Sequence, residues 1–539
     1  MTTPTRSGVA KAALLITAGG LASRILGLVR EQLAASHFGT GDRVAAFQIA
    51  DNVQTLLFDL AISGMLQAAL IPILVSFAAW DQRDELRRIS GTIVTVAFLV
   101  VGGAAALGMV YTSTLVRLMT TLGSDNQYRS PETVQLTEQL VRIVLPGVVF
   151  LAIGTVFSAI LYSLNRQAGP AVALAARNLA VVIAIITLAG RFDVKSMAYG
   201  VLIGGFLVAA VQIPWLIREH ALPRPSLHLR DPAVRHIGRL YLPVFLGLIV
   251  STVQVVVDRN LAWRAQADAL GAMRYATTLV QSVLGLVAAA ISLAALPLLA
   301  THFTNRDEIR FEQTLTHAVR MVSVLIIPAV LGLAALAHPT VVLLFEHGET
   351  SSRDATFIAK VLLAYLPGTL FAAYDQILIY MFYSRRSTWI PVLVGVLSVF
   401  AYFATAYLLV DAYGAIGLAI ANTVQFIAHT LILGFIGRKR VAGVIRQAAP
   451  TVGICLLAGG VSAGAAWLTS RGLLHLLSGR IAEISAVIFP VGLAAAIYAM
   501  WVLAAGVPEA RALVNRLSGG FRPDPMSAGA AAGPPPDDQ

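Results

Sequence analysis

Charge is what this chain has least of. Asp, Glu, Lys and Arg together make 12% of its 539 residues, where a soluble domain usually carries about 25%. That shortage excludes an extensive water-facing surface, and a mean hydropathy of +0.77 with 57% hydrophobic residues makes lipid the natural solvent. Cysteine is nearly missing too. Cys455 stands alone in an apolar run, so neither a disulfide framework nor a thiolate metal site is available. The ten histidines are scattered, and His338 and His347 do not sit at metal-ligand spacing. No Walker loop, HExxH or nucleophile elbow occurs. No acidic metal cluster faces a long external loop, which argues against an integral-membrane glycosyltransferase. The expectation is therefore no enzyme, no metal and no cofactor. Gly19-Gly20 and Gly204-Gly205 read as close helix contacts rather than phosphate cradles. A cleavable signal is also lacking: the first apolar run contains Arg24, Arg30 and Glu31 and no small-residue cleavage site, so it is expected to be the first helix of the mature protein.

What is present is a succession of apolar runs broken by Pro, Gly and charge. They predict an all-α, polytopic membrane protein of about fourteen transmembrane helices, at about 20 residues per span. The spans fall near 9–37, 43–78, 91–118, 134–164, 169–190 and 197–217, then 237–263, 269–301, 313–344, 356–383, 389–410 and 414–436, and finally 447–470 and 480–506. This gives an N-lobe (1–225), a C-lobe (226–440), an extra helix pair (441–507) and a cytoplasmic, largely disordered tail (508–539) rich in Gly, Ala and Pro from about Ser518. The net charge of +11 does not point to nucleic acid, because the basic residues lie in loops between spans. Arg83, Arg87 and Arg88, five arginines from Arg218 to Arg239, and Arg438, Lys439 and Arg440 mark one side, whereas the alternate loops offer little beyond Arg43 and Arg264. The positive-inside rule then places both termini in the cytoplasm of a bacterial inner-membrane protein.

The chain also repeats itself. Val29-Arg30-Glu31-Gln32-Leu33-Ala34 matches Val257-Asp258-Arg259-Asn260-Leu261-Ala262 at an offset of 228, with Phe47 on Tyr275. Leu145-Pro146-Gly147 matches Leu366-Pro367-Gly368 at 221, and Gly200-Val201-Leu202-Ile203 resembles Gly417-Leu418-Ala419-Ile420 at 217. Each half holds an even number of spans, so the halves run parallel about an axis along the membrane normal, a plan in which substrate binds between lobes. Pro72, Pro146, Pro243, Pro297, Pro328 and Pro367 within spans are expected to kink them.

Ionised side chains at mid-bilayer cost about 2.5 to 3.5 kcal/mol each to insert, so their positions map a wet cavity. Span 1 carries Arg24, Arg30 and Glu31; span 2 carries Asp51 and Asp59; span 7 carries Asp258 and Arg259 at the repeat positions of Arg30 and Glu31; Arg274 lies early in span 8. Arg24 and Arg30, six apart, are expected to project toward one broad side. The competing reading is structural: ion pairs within Arg30-Glu31 and Asp258-Arg259, or end-of-helix residues snorkelling to the headgroups. Arginine suits a phosphate or pyrophosphate, because its planar fork donates two parallel hydrogen bonds. Asp258 suits either a coupling cation or proton, or the role of partner to Arg259 or Arg30.

At Ser23-Arg24-Ile25-Leu26-Gly27-Leu28-Val29-Arg30 the chain resembles the opening of the MurJ (MviN) lipid II flippases of the multidrug/oligosaccharidyl-lipid/polysaccharide exporter superfamily. Further matching stretches run in order over about residues 10–437: Leu161–Arg166 with Asn178, Gly200–Gly205, Val257–Ala262, Phe345-Glu346-His347-Gly348, Phe382–Arg385 and Gly417–Ala421. The resemblance implies a two-lobed transporter that moves undecaprenyl-pyrophosphate-linked disaccharide pentapeptide from the inner to the outer leaflet by alternating access. Arg24 and Arg30 then engage the diphosphate. The chain departs from the family where an arginine pair and a glutamate stand in span 2, reading Phe58, Asp59 and Ser63; where an acidic residue stands early in span 2, reading Ala45 and Ala46; and where an arginine follows Tyr-Ala-Asp in span 8, reading Tyr275-Ala276-Thr277-Thr278. Arg274, one turn before Thr278, is expected to restore that positive group.

The candidate substrate-binding set is thus Arg24, Arg30, Arg274, Asp59 and Arg259. Asp258 and Asn422 are candidates for a coupling ion, since some members look to have a sodium site on spans 7, 11 and 12, although span 11 has no acidic partner here. The expected partners are a polyprenyl-pyrophosphate-linked glycan, membrane lipids and cell-wall synthesis machinery, with Na+, H+ or the membrane potential as the driving force. Two alternatives remain open: a flippase for another polyprenyl-linked oligosaccharide, and a non-transporting scaffold of cell-wall synthesis, the latter favoured if the buried charges prove mutually paired.

Overall fold

A computed structural model describes residues 6–62, 70–71, 73–79, 82–121, 130–385 and 387–517. The expected tail from Ser518, together with Ser63 and Pro72, lies outside the described residues. Among the described residues these helices run in order: α1 Arg6–Phe38, α2 Asp42–Ile62, α3 Arg83–Val110, α4 Thr112–Thr120, α5 Pro131–Ser163, α6 Ala168–Phe192, α7 Lys195–Ala210, α8 Ile213–Arg218, α9 Pro232–Ala265, α10 Ala269–Thr304, α11 Glu308–Ala335, α12 Ala337–Phe345, α13 Ser352–Ser384, α14 Trp389–Tyr413, α15 Ala415–Ile436, α16 Arg438–Leu476, α17 Gly479–Ala504 and α18 Pro508–Leu517. No strand occurs among the described residues. This is the all-helical solution that hydrocarbon imposes, because every backbone donor and acceptor must be satisfied within its own segment.

The expected segments contain helix wherever their residues are described at length, with 63–69 of the second outside the described residues. Ten stretches among the described residues are long and apolar enough to cross a membrane: α3, α5, α6, the α7–α8 stretch, α11 and α13 to α17. The other long helices, α1, α2, α9 and α10, are those that carry Arg24, Arg30, Glu31, Asp51, Asp59, Asp258, Arg259 and Arg274. Three expected spans are broken. The third divides at Tyr111 and the ninth at Leu336, while the sixth divides before Ile213, with Pro214 in the first turn of α8 where a missing N–H costs nothing. By contrast, Pro146, Pro328 and Pro367 lie inside continuous helices.

By packing, the chain falls into two compact units. The first comprises Met1–Ser282, Thr340–Gly368 and Val392–His429; the second comprises Val283–Pro339, Thr369–Pro391 and Thr430–Gln539. In the first, α1 lies on α6, α2 and α3 lie on α5, and α7 packs against both α5 and α6. Small residues permit this closeness. A Cβ on Gly19 would meet the Ala171 Cβ at 2.6 Å, and one on Gly205 would meet the Gly147 carbonyl at 2.7 Å, whereas Gly20 faces open space. The repeat recurs in the packing: Gly147 abuts Leu202 on α7, and its counterpart Gly368 abuts Thr423 on α15 while donating its N–H to the Thr423 hydroxyl at 3.2 Å. In the second unit α11, α16 and α17 pack together, with α18 against α11 and α17. Outward side chains such as Leu457, Leu468, Ile488, Phe489 and Met500 are apolar and exposed, as lipid contact requires.

Candidate functional site

The end of α1 is fixed by a clamp within the first unit. Gly39 turns the chain at φ +68°, and Gly348 turns the α12–α13 connection at φ +60°. A Cβ at Gly348 would lie 2.1 Å from the Ser36 carbonyl, so only glycine admits this approach. The Glu349 N–H donates to the Ser36 carbonyl at 2.9 Å, the Thr350 hydroxyl to the Ala35 carbonyl at 2.7 Å, and the Thr40 hydroxyl to Asp354 at 2.9 Å. Tyr275 donates to the Gly39 carbonyl at 2.8 Å and stacks on Phe345 at 5.0 Å. Part of the Phe345–Gly348 stretch therefore works as packing, with Phe345 and Gly348 holding one end of α1 against α10.

One turn below, Glu31 is fully buried. Its carboxylate accepts Nε and Nη2 of Arg274 at 2.7 and 2.9 Å, and Nε and Nη2 of Arg30 at 2.9 and 2.6 Å. Arg274, only 6% exposed, also donates to Gln48 at 2.7 Å and to Asp51 at 3.1 Å, and its guanidinium lies 5.0 Å from the centre of the Phe47 ring. Two arginines and two carboxylates from α1, α2 and α10 thus form one closed network, the arrangement in which buried charge is tolerable. Arg30, 22% exposed, spends a remaining donor on Asn178 at 3.2 Å. Asn178 in turn donates to the Ser23 carbonyl and hydroxyl at 3.0 and 3.1 Å, fastening α6 to α1.

Arg24 differs. It reaches two backbone carbonyls on α10, Gln281 at 3.5 Å and Ser282 at 3.2 Å, and no carboxylate. The expected common side for Arg24 and Arg30 is corrected here, because six residues at about 100° each leave the two side chains about 120° apart. Asp59 is half-buried, and the charge acting on it is Arg177 of α6. Arg177 itself lies in the field of Asp51, Arg30 and Asp59. The sequence reading missed Arg177, since nothing in Ala175-Ala176-Arg177-Asn178 distinguishes an interior arginine from a lipid-edge one. It also left Glu31, the hub of the network, out of the candidate set.

The second-half candidates form a separate group. Asp258 accepts from the Tyr402 hydroxyl and from Arg259 at 3.2 Å. Nε of Arg259 is buried without a hydrogen-bond partner. Gln254 and Gln425 bond each other at 2.6 and 3.1 Å, and Asn422 is half-buried on α15. The adjacent ion pair at 30–31 therefore recurs at 258–259 with its sign order reversed. Each Asp258 oxygen thus has one partner in this arrangement, the Tyr402 hydroxyl on one and Arg259 on the other. No group of three or more His, Cys, Asp or Glu capable of holding a metal occurs among the described residues.

Long helices, ten of them apolar enough to cross a membrane, with arginines and carboxylates on α1, α2, α9 and α10, define a helical membrane protein among the described residues. The fold is similar to a MATE family multidrug resistance transporter of the MOP superfamily in its inward-facing conformation, with TM-score 0.63 and 16% identity over 79% of this chain and 96% of that one. It is also similar to the solved lipid II flippase MurJ in an inward closed conformation, with TM-score 0.74 and 21% identity over 90% and 98%. In sequence the chain is 28% identical over 463 residues to the probable lipid II flippase MurJ of Vibrio cholerae, covering 84% of this chain and 88% of the relative. It is 27% identical over 438 residues to the lipid II flippase MurJ of Burkholderia cenocepacia, covering 80% and 84%. The model of the lipid II flippase MurJ family matches residues 34–481, and the chain belongs to that family.

Proposed function

We propose that this protein flips lipid II, the undecaprenyl-pyrophosphate-linked muropeptide, across a bacterial inner membrane, with both termini cytoplasmic, residues 1–225 and 226–440 acting as its two lobes, and no covalent chemistry. The observation that carries the reading is the family match across both repeat halves, over residues 34–481. Arg24 is the guanidinium best placed to take a diphosphate, because its present partners are neutral carbonyls that an anion can displace. Arg30 contributes from the rim of the network, and Arg274 and Arg259 shape the field. Asp258, held by Tyr402 and Arg259, suits a proton or the membrane potential as the driving term better than Na+, with Asn422 nearby in sequence to Gln425 on the same helix.

The mutual pairing of Arg30, Glu31, Arg274 and Asp51 favours one second reading, a membrane scaffold for cell-wall machinery. Following labelled lipid II across the bilayer of proteoliposomes separates the two. The transporter reading expects Arg24→Ala and Arg30→Ala each to slow flipping by about tenfold or more, the worth of one or two charge-assisted hydrogen bonds. A parent protein that moves no lipid II, or variants as fast as the parent, would reject it.

A further inference from the structure

The charges that meet around Glu31, Asp51 and Asp59 do not cancel. Arg24, Arg30, Arg177 and Arg274 stand with those three carboxylates, four positive groups to three negative. Two of the arginines are committed: Arg274 and Arg30 both donate to Glu31. Two are not. Arg24 rests on backbone carbonyls. Arg177 is half-buried and, among the described residues, makes no hydrogen bond and no ion pair within 4.0 Å, although Asp51 and Asp59 lie near enough to act on it. A half-buried guanidinium with its five donors unspent can receive an anionic ligand.

Local packing explains why it sits there. A Cβ on Gly204 of α7 would lie 2.9 Å from the Arg177 carbonyl and 3.4 Å from its Cγ, so the glycine gives the arginine stem its channel between helices. On the other side, Asn178 is tied to Ser23, which places the residue beside Arg177 against the residue beside Arg24. In the described part of α2 the corresponding interior positions are Phe58 and Asp59, and its one arginine, Arg43, pairs at the helix start with Asp193 and Glu349.

We propose that Arg177 is a diphosphate-binding residue and that, with Arg24, it takes the polyprenyl-linked diphosphate, while Asp59 serves as its resting counter-ion. The inference rests on the lipid-diphosphate reading of the function and adds a residue to it. The fork of Arg177 donates to the diphosphate oxygens, and Asp59, released from its role, is left for water or a proton.

The test is a binding titration of the purified full-length protein with undecaprenyl pyrophosphate, beside undecaprenyl phosphate and inorganic pyrophosphate, with thermal unfolding as a fold control. Arg177→Gln should weaken undecaprenyl pyrophosphate binding by about tenfold or more. Arg177→Lys, which keeps the charge for Asp59 and loses the fork, should weaken it less but measurably; Asp59→Asn should tighten it. A stronger response to undecaprenyl pyrophosphate than to inorganic pyrophosphate assigns the site to a lipid substrate, and the reverse order overturns that assignment. If the parent binds and both Arg177 variants bind equally well, the inference fails and the proposed function stands. If the parent binds no diphosphate at all, the functional reading fails and takes the inference with it. Should Arg177→Gln not fold, the Lys variant decides alone.

Discussion

Replacing Arg274 with methionine should be among the most damaging single changes in the protein. The side chain is 6% exposed and supplies both hydrogen bonds on its side of the fully buried Glu31, as well as bonds to Asp51 and Gln48. Methionine fills much of the volume, so little of the loss comes from a cavity. What remains is Glu31 with only Arg30, plus a stranded Asp51 and Gln48. Breaking a buried pair by removing one partner costs about 3–5 kcal/mol. Removing both ends is less harmful than the two losses added, because the fully buried carboxylate goes with its main partner and the charges left, Arg30 and Asp51, are the part-exposed members. Glu31→Leu combined with Arg274→Met should therefore destabilise by less than the sum of the singles, with a coupling of about 1–3 kcal/mol. The assay is a double-mutant cycle on reversible unfolding in detergent, by denaturant titration. Additive losses, or an Arg274→Met protein as stable as the parent, would refute the closed network as a stabilising unit.

Three more outcomes are expected. Gly271→Ala should lower the unfolding temperature, because its Cβ would stand 2.3 Å from the Thr40 carbonyl and 2.8 Å from the Thr40 Cα; backbone must move, at about 1–3 kcal/mol, against a helix-propensity gain of about 1. For Glu509, burial raises the carboxyl pKa, but the hydrogen bond from His317 and the nearby Arg320 lower it further, leaving a net depression. A depressed folded value contributes stability above the unfolded carboxylate pKa of about 4.3, and this is lost as pH falls through the lower folded value. Hydrogen exchange of α18 should rise over that acid range in the parent, and Glu509→Gln should show fast exchange at neutral pH with little further change. Finally, Asp258→Asn should remove any dependence of flipping on proton gradient or membrane potential, read in proteoliposomes with imposed gradients; an unchanged dependence rejects Asp258 as the coupling residue.

The helical segments were legible because lipid enforces long apolar runs, and the repeat was legible because Arg30-Glu31 and Asp258-Arg259 interrupt such runs at matching places. The break at Tyr111 was not, since no proline stands beside it, whereas the break at Leu336 had a local signal in Pro339, whose missing N–H cannot continue the helix from Ala335. Arg274 was read as a cation compensating for Thr278, yet its partners Glu31, Gln48 and Asp51 come from segments more than 200 residues away in sequence. The Tyr402 hydroxyl that meets Asp258 spans 144 residues. Pairings of that kind are set by topology, which periodicity does not encode. Arg177 remained hidden for a different reason: whether a single arginine in an apolar run faces lipid edge or interior depends on Gly204 of the adjoining helix.

The Glu31–Arg274 bond joins residues 243 positions apart. At about 5–20 residues per second of synthesis, roughly 12–50 s pass between the emergence of the carboxylate and that of its main partner. Throughout that interval α1 must wait in or beside the translocon with a glutamate two turns from its C-terminal end. Arg30, its immediate neighbour, is already present and is bonded to the same oxygen. The adjacent arginine thus acts as a chaperone in cis, neutralising the first helix until the eighth long segment arrives from the ribosome to take over.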